Sequence, residues 1–177
     1  MKKRTRNIIR VSTIVAIVVL TGITLWFNFT KDNATTKVGD KAVDFKLKSL
    51  EGEEFQLHEV TKDKGVIINF WGTWCKPCRE EMPDLNRAQV DHNDDDVIII
   101  TVNVSEKPQQ IEQFLRGLGE DMSLTMLLDP NRSVTKAYNI GPLPTTIAID
   151  KNNKIVKKQE YQLSKQDIES FIEAVQE

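Results

Sequence analysis

Cys75-Lys76-Pro77-Cys78 holds both cysteines of the chain, three positions apart. A zinc site would need two further ligands, and the histidines, His58 and His92, lack metal-site spacing. Covalent haem attachment needs a histidine directly after the second cysteine, where Arg79 stands. A purely structural disulfide gains less as the loop it closes shortens, so a bridge across two residues is a poor staple. Thiol-disulfide exchange is the chemistry left, with no metal and no cofactor beyond the Cys75–Cys78 pair itself.

The flanking residues suit that chemistry. Gly65-Val66-Ile67-Ile68-Asn69-Phe70 is a short apolar run of the kind that forms a buried central strand. A helical stretch reaching to about Val90 follows the cysteines. Cys75 then falls at a helix N-terminus, where unpaired N–H groups and the helix dipole favour a thiolate. Pro77 fits a first helical turn, because its missing N–H has no partner to lose there. Cys75 is the expected exposed nucleophile, and Cys78, one turn inward, the expected resolving thiol. Pro83 implies a kink in the same helix.

Around this centre the pattern alternates. Val43 to Leu57 reads as a hairpin about Glu51-Gly52, and Asp96 to Val104 as a second buried strand. Gln109 to Leu118 has helical spacing in Ile111, Phe114, Leu115 and Leu118. A strand at Leu124 to Leu128 is followed by a short helix through Val134, Ala137 and Tyr138. Strands at Thr145 to Ile149 and Ile155 to Gln159 flank a turn-rich joint. Ser164 opens a last helix, with Asp167 three residues on as a capping partner. This order predicts an α/β sandwich with helices on both faces of the sheet. The acidic triplet Asp94-Asp95-Asp96 reads as a solvated loop, with a cation site as the lesser alternative.

Charge is lopsided. Residues 1–30 hold Lys2, Lys3, Arg4, Arg6 and Arg10 and no acid, which leaves 19 basic against 26 acidic side chains in residues 31–177, a net −7. So acidic a domain is poorly suited to phosphate backbones, and a nucleic-acid role is set aside. Val11 to Phe27 is apolar but for Ser12, Thr13, Thr21, Gly22 and Thr24, and as a helix it would rise about 25 Å, enough with its flanks for a thin or tilted bilayer. Its basic flank favours a cytoplasmic N-terminus, and Leu25-Trp26-Phe27 is too bulky for signal cleavage. The expected organisation is a cytoplasmic tip and single transmembrane anchor at 1–30, a polar linker at 31–37 and one domain at 38–177. The domain would lie outside the cytoplasm, on the outer side of the cell membrane.

Asn69-Phe70-Trp71-Gly72-Thr73-Trp74-Cys75-Lys76-Pro77-Cys78 resembles the active-site run of the thioredoxin superfamily, and Leu143-Pro144-Thr145-Thr146 resembles its cis-proline loop. From Val38 onward the chain is most similar to the ResA/TlpA-like branch, which adds an N-terminal hairpin and a central strand–helix insertion to a thioredoxin-like three-layer sandwich. The resemblance implies that Trp74, Lys76, Pro77, Leu143 and Pro144 lie along the bound substrate. Thioredoxins carry a buried aspartate where this chain has Asn69; in the ResA-like branch a glutamate on the active-site helix moves the proton, and Glu81 matches it. The resemblance further implies reduction of apocytochrome c before haem attachment, with electrons from a CcdA/DsbD-type membrane thiol transporter. An oxidase, or a reductase of other envelope or spore proteins, is the alternative, since direction follows reduction potential. A peroxidase would want threonine where Gly72 stands, and a copper-carrying module a wider cysteine spacing and a dedicated histidine.

Overall fold

The computed structural model describes residues 3–30, 36–93, 96–119 and 122–176. They fall into two compact units, Met1–Ala34 and Thr35–Glu177. The first contains helix α1, Lys3–Thr30. Of its side chains, the described Ile14, Val15, Ile17, Val18, Val19, Leu20 and Ile23 are all exposed. Among the described residues no helix is long and apolar enough to cross a membrane, so the structure does not carry the expected transmembrane span. The continuous stretch of described side chains, Ser12–Thr24, falls short of the roughly 20 residues that a bilayer requires.

The second unit is built on a seven-stranded sheet in the order β2-β1-β5-β4-β3-β6-β7. Its strands are β1 Lys46–Ser49, β2 Glu54–Gln56, β3 Gly65–Trp71, β4 Val97–Val104, β5 Thr125–Asp129, β6 Thr145–Ile149 and β7 Ile155–Glu160. β3, β4 and β5 run parallel, and the flanking pairings β3–β6, β6–β7, β5–β1 and β1–β2 are antiparallel. The sheet is therefore mixed. The β1–β2 hairpin turns at Gly52, whose φ of 92° suits glycine.

Helices α2 Leu57–Val60, α3 Lys76–Asp91, α4 Pro108–Leu118, α5 Ser133–Ala137 and α6 Lys165–Gln176 connect or cover the strands. Every residue of β3 is buried, and its side chains alternate between two cores. Ile67 and Trp71 face α3, α4 and α6, packing with Met82, Leu85, Ile111, Phe171 and Ile172. Val66, Ile68 and Phe70 face the other side, with Leu57, Val134 and Tyr138. This is the three-layer arrangement that a parallel centre requires, because such strands need cover on both faces.

Local signals place the helix ends. Ser164 and Asp167 form the reciprocal cap of α6: Ser164 N donates to Asp167 Oδ2 at 2.8 Å and Asp167 N to Ser164 Oγ at 3.2 Å. Asp129, 1% exposed, ends β5 and caps α5 by accepting from the backbone N–H groups of Ser133 and Thr135. Helix α3 runs through Pro83 without interruption. Asp94 and Asp95 lie outside the described residues, while Asp96 pairs with Lys151 at 2.6 Å. Residues 31–35 of the linker also lie outside, but Thr36 is buried and its hydroxyl donates to the Tyr138 carbonyl at 2.6 Å.

Candidate active site

The site forms where β3 ends. After Trp71 the chain turns through Gly72-Thr73-Trp74, and Cys75 becomes the N-cap of α3 with extended backbone. Cys75 and Cys78 are joined in a disulfide, S–S 2.00 Å and Cα–Cα 5.3 Å. Cys75 Sγ accepts from the Cys78 N–H at 3.3 Å. An acceptor at this position takes one of the orphan donors of the first turn, which is how a helix N-terminus favours a thiolate once the bridge opens. Pro77 stands in that first turn.

Exposure differs from the sequence expectation. Cys75 is only 5% exposed and Cys78 is fully buried, so Cys75 is the more accessible of the two but is not open to solvent in the disulfide form. The indole of Trp74, 68% exposed, is the prominent surface beside it. It packs so close to Gly72 that a Cβ there would stand 2.8 Å from Trp74 Nε1. Lys76 is exposed and pairs with Glu80 at 3.6 Å.

Glu80 and Glu81 part company, as successive helical residues must. Glu80 is exposed, whereas Glu81 is 1% exposed. Oε1 of Glu81 accepts from Asn69 Nδ2 at 2.8 Å, and Oε2 from the Leu163 N–H at 2.8 Å. Burial pushes its carboxyl up to about 7, against the pull of the two hydrogen bonds. A group at this value can both take and give a proton near neutrality. It lies one turn from Cys78 on the buried face of α3.

The cis-proline loop reaches the same end of the sheet. Thr145 of β6 is in register with Phe70 of β3, so the preceding residues arrive beside the turn that carries Cys75. The Leu143–Pro144 peptide is cis, Leu143 packs against the cluster holding both cysteines, and the Pro144 carbonyl accepts from the Tyr161 N–H at 2.8 Å. A groove of about 600 Å³ opens beside them, lined by Trp74, Glu106, Gln110, Arg132, Pro142 and Leu143 among others.

Glu106 was not singled out from the sequence. Its carboxylate accepts from the Thr73 N–H at 2.7 Å, from the Thr73 hydroxyl and from Asn103 Nδ2 at 2.8 Å, tying the loop before Cys75 to the end of β4. The available signal was its place just past a buried parallel strand, where α/β sheets gather their sites. Among the described residues no group of three or more His, Cys, Asp or Glu could hold a metal ion.

Residues 38–158 match the AhpC/TSA family. Thiol-disulfide oxidoreductase ResA of Geobacillus kaustophilus is 37% identical over 175 residues, covering 99% of both chains. ResA of Halalkalibacterium halodurans is 38% identical over 175 residues, covering 99% of this chain and 98% of that one. The chain belongs to the AhpC/TSA family, in its ResA-type branch. Among solved structures, a thiol:disulfide interchange protein DsbE from Chlorobium tepidum superimposes with a TM-score of 0.71 at 28% identity, covering 78% of this chain and 97% of that one. StoA from Bacillus subtilis gives 0.63 at 26% identity, covering 74% and 98%. With the ResA-type fold and a cysteine pair at bonding distance, the protein is a thiol-disulfide oxidoreductase.

Proposed function

We propose that this ResA-type enzyme works as a dithiol reductant outside the cytoplasm, and that its substrate is the disulfide of apocytochrome c before haem attachment. The observation that carries the reading is the cysteine pair at the start of α3 with the buried, hydrogen-bonded carboxyl of Glu81 one turn below it. In the reduced enzyme the Cys75 thiolate attacks a substrate disulfide, forming a mixed disulfide and expelling one substrate thiolate. Cys78 gives its proton to Glu81, attacks Cys75 Sγ and closes the Cys75–Cys78 bond. The second substrate thiolate leaves; one leaving sulfur takes the proton held by Glu81, which returns to its carboxylate, and the other takes one from solvent. Two electrons have then passed to the substrate. Trp74, Lys76, Pro77, Leu143 and Pro144 line the approach to Cys75 and hold the substrate segment.

The oxidised enzyme needs reducing equivalents, and an oxidising compartment offers no glutathione pool. A membrane thiol transporter of the CcdA/DsbD type is the donor in this reading. Attachment through α1 would support it: residues 14–20 of that helix are all aliphatic, and the five basic residues of the N-terminal stretch all precede Val11 in sequence. The cysteine pair is the only redox group the mechanism uses.

A deletion strain should lose covalent c-type cytochromes and regain them when a small thiol is added. In the native cell, Cys78→Ala should accumulate a mixed disulfide with apocytochrome c, and Cys75→Ala should not. Normal cytochrome levels in the deletion strain would redirect the assignment to other envelope proteins.

A further inference from the structure

Among the described residues, Ser105, Arg132, Asn139, Asn153 and Tyr161 hold a left-handed backbone without being glycine. The two asparagines are of a type that tolerates it, because their short polar side chain bonds locally. The other three gather at one end of the sheet. β3, β4, β5 and β7 all point the same way. Ser105 comes after β4, Arg132 after β5 and Tyr161 after β7, at the end where Cys75 comes after β3. Ser105 and Arg132 line the groove beside Trp74. Tyr161, at φ 70°, is the aromatic one, and a bulky side chain in this region is a true outlier.

The turn at Tyr161 has a clear use. Its N–H donates to the Pro144 carbonyl at 2.8 Å, just past the Thr145–Glu160 pair of the β6–β7 ladder. Two residues on, the Leu163 N–H donates to Glu81 Oε2 at 2.8 Å, and Leu163 enters the core that holds both cysteines. These bonds are made by backbone and need the conformation, not the tyrosine. Glycine makes the same turn at no steric cost. Nor does the ring support the fold: Tyr161 is 65% exposed, and its side chain has no hydrogen-bonding or ring partner among the described residues. One exposed apolar side chain is ordinary on a protein surface. An exposed ring held in a costly backbone conformation beside the cis-proline loop asks for a role outside the fold.

We propose that Tyr161 is a substrate-binding residue: its ring packs on an apolar side chain of the polypeptide that carries the target disulfide, across the cis-proline loop from Trp74. The placement follows from the topology. The groove takes its residues from Trp74, the ends of β4 and β5 and the loop before β6, whereas Tyr161 stands beyond β6, at the end of β7. A polypeptide presenting its disulfide to Cys75 thus meets an exposed aromatic on each flank of the loop. Aromatic rings suit this task, since they offer a large contact area with two torsions to fix. The inference rests on the disulfide-reducing direction proposed above and extends it from the bond that reacts to the chain that carries it.

The test sets a protein disulfide against a small one. With insulin as the probe and dithiothreitol resetting the enzyme, Tyr161→Ala and Tyr161→Gly should raise KM about tenfold with kcat little changed, the pattern of lost uniform binding. Tyr161→Phe keeps the ring and should stay close to wild type. Hydroxyethyl disulfide is too small to touch Cys75 and Tyr161 together, so all four proteins should reduce it at one rate. Thermal melts of the oxidised forms should show Tyr161→Gly no less stable than wild type. A wild-type KM for insulin in Tyr161→Ala overturns the proposal. So do equal losses on both disulfides, which would place the effect in the chemistry, and a Tyr161→Gly melt several degrees below wild type, which would give the ring to the fold. Failure of wild type to turn over insulin would instead remove the reductant reading. The contact is then read from the rate of mixed-disulfide formation with insulin by Cys78→Ala, alone and combined with Tyr161→Ala, because attack by Cys75 precedes any net direction. Equal rates in that pair would overturn the Tyr161 assignment.

Discussion

Burial pushes the Glu81 carboxyl up to about 7, and the sign of that displacement dictates how the fold responds to pH. An unfolded glutamate titrates near about 4.3. Between that value and about 7 the folded protein holds a proton that the unfolded chain has released, so stability falls as pH rises through this window. Above it the folded state carries a buried charge at a cost on the order of 3 kcal/mol. We predict that Glu81→Gln flattens this part of the pH–stability curve and leaves the oxidised variant more stable than wild type at pH 8. Glu80→Gln, on the solvent side of the same helix, should leave the curve in place. Thermal melts of the three oxidised proteins across this range are the check. Parallel curves for wild type and Glu81→Gln would mean that the carboxyl is not charged in the core at all. A residue that weakens the fold at working pH is kept for what it does, which suits a proton carrier.

Elements were legible wherever a run was long enough to show its period. β3 and β4 fall within a residue or two of their expected bounds because each is a continuous apolar run, and α4 and α6 because each repeats apolar residues at helical spacing. The single turn α2, Leu57–Val60, was absent from the sequence reading, since four residues cannot display a 3.6-residue period. Nor does periodicity say which strands are neighbours, so Glu106, 33 positions beyond Thr73, had no visible tie to the cysteine loop. The same limit hides how closely α6 lies on the sheet. Gly65 looks like an ordinary strand start, yet a Cβ there would stand 2.6 Å from Val175 Cβ and 3.0 Å from its carbonyl oxygen. Part of that obstruction is backbone, so a rotamer change cannot relieve it. We predict that Gly65→Ala lowers stability by about 1–3 kcal/mol, the range for overpacking, and that adding Val175→Ala recovers only part of the loss. Denaturant midpoints of the single and double variants test this, and an unchanged midpoint in Gly65→Ala would show that α6 is free to withdraw from the sheet.

At the scale of the whole molecule, the question is where the catalytic unit begins. The polar stretch before Val38 reads as a tether, but its last residues are part of the fold. The Thr36 hydroxyl donates to the Tyr138 carbonyl, Gly39 N to Ile155 O at 2.8 Å, Ala42 N to Asn153 O at 2.7 Å, and Ile155 N to Asp40 O at 2.9 Å. These bonds fasten residues 36–42 to the start of β7, to the turn before it and to the end of α5, while Ala42 enters the core. A protein beginning at Thr35 keeps all of them and loses only the unit that holds α1. It should melt with wild type and reduce a soluble protein disulfide at the same rate, and, on the proposed attachment through α1, move from the membrane fraction to the soluble one. A protein beginning at Asp44 loses every one of these bonds. At about 1 kcal/mol for each, discounted for the flexibility of a chain end, its melting temperature should drop by roughly 5–10 °C. Calorimetry on the purified proteins and fractionation of cells expressing them read the two effects separately. Membrane retention of the shorter chain beginning at Thr35 would show that attachment does not depend on α1. An unchanged melt for the chain beginning at Asp44 would show that residues 36–42 rest on the domain without supporting it.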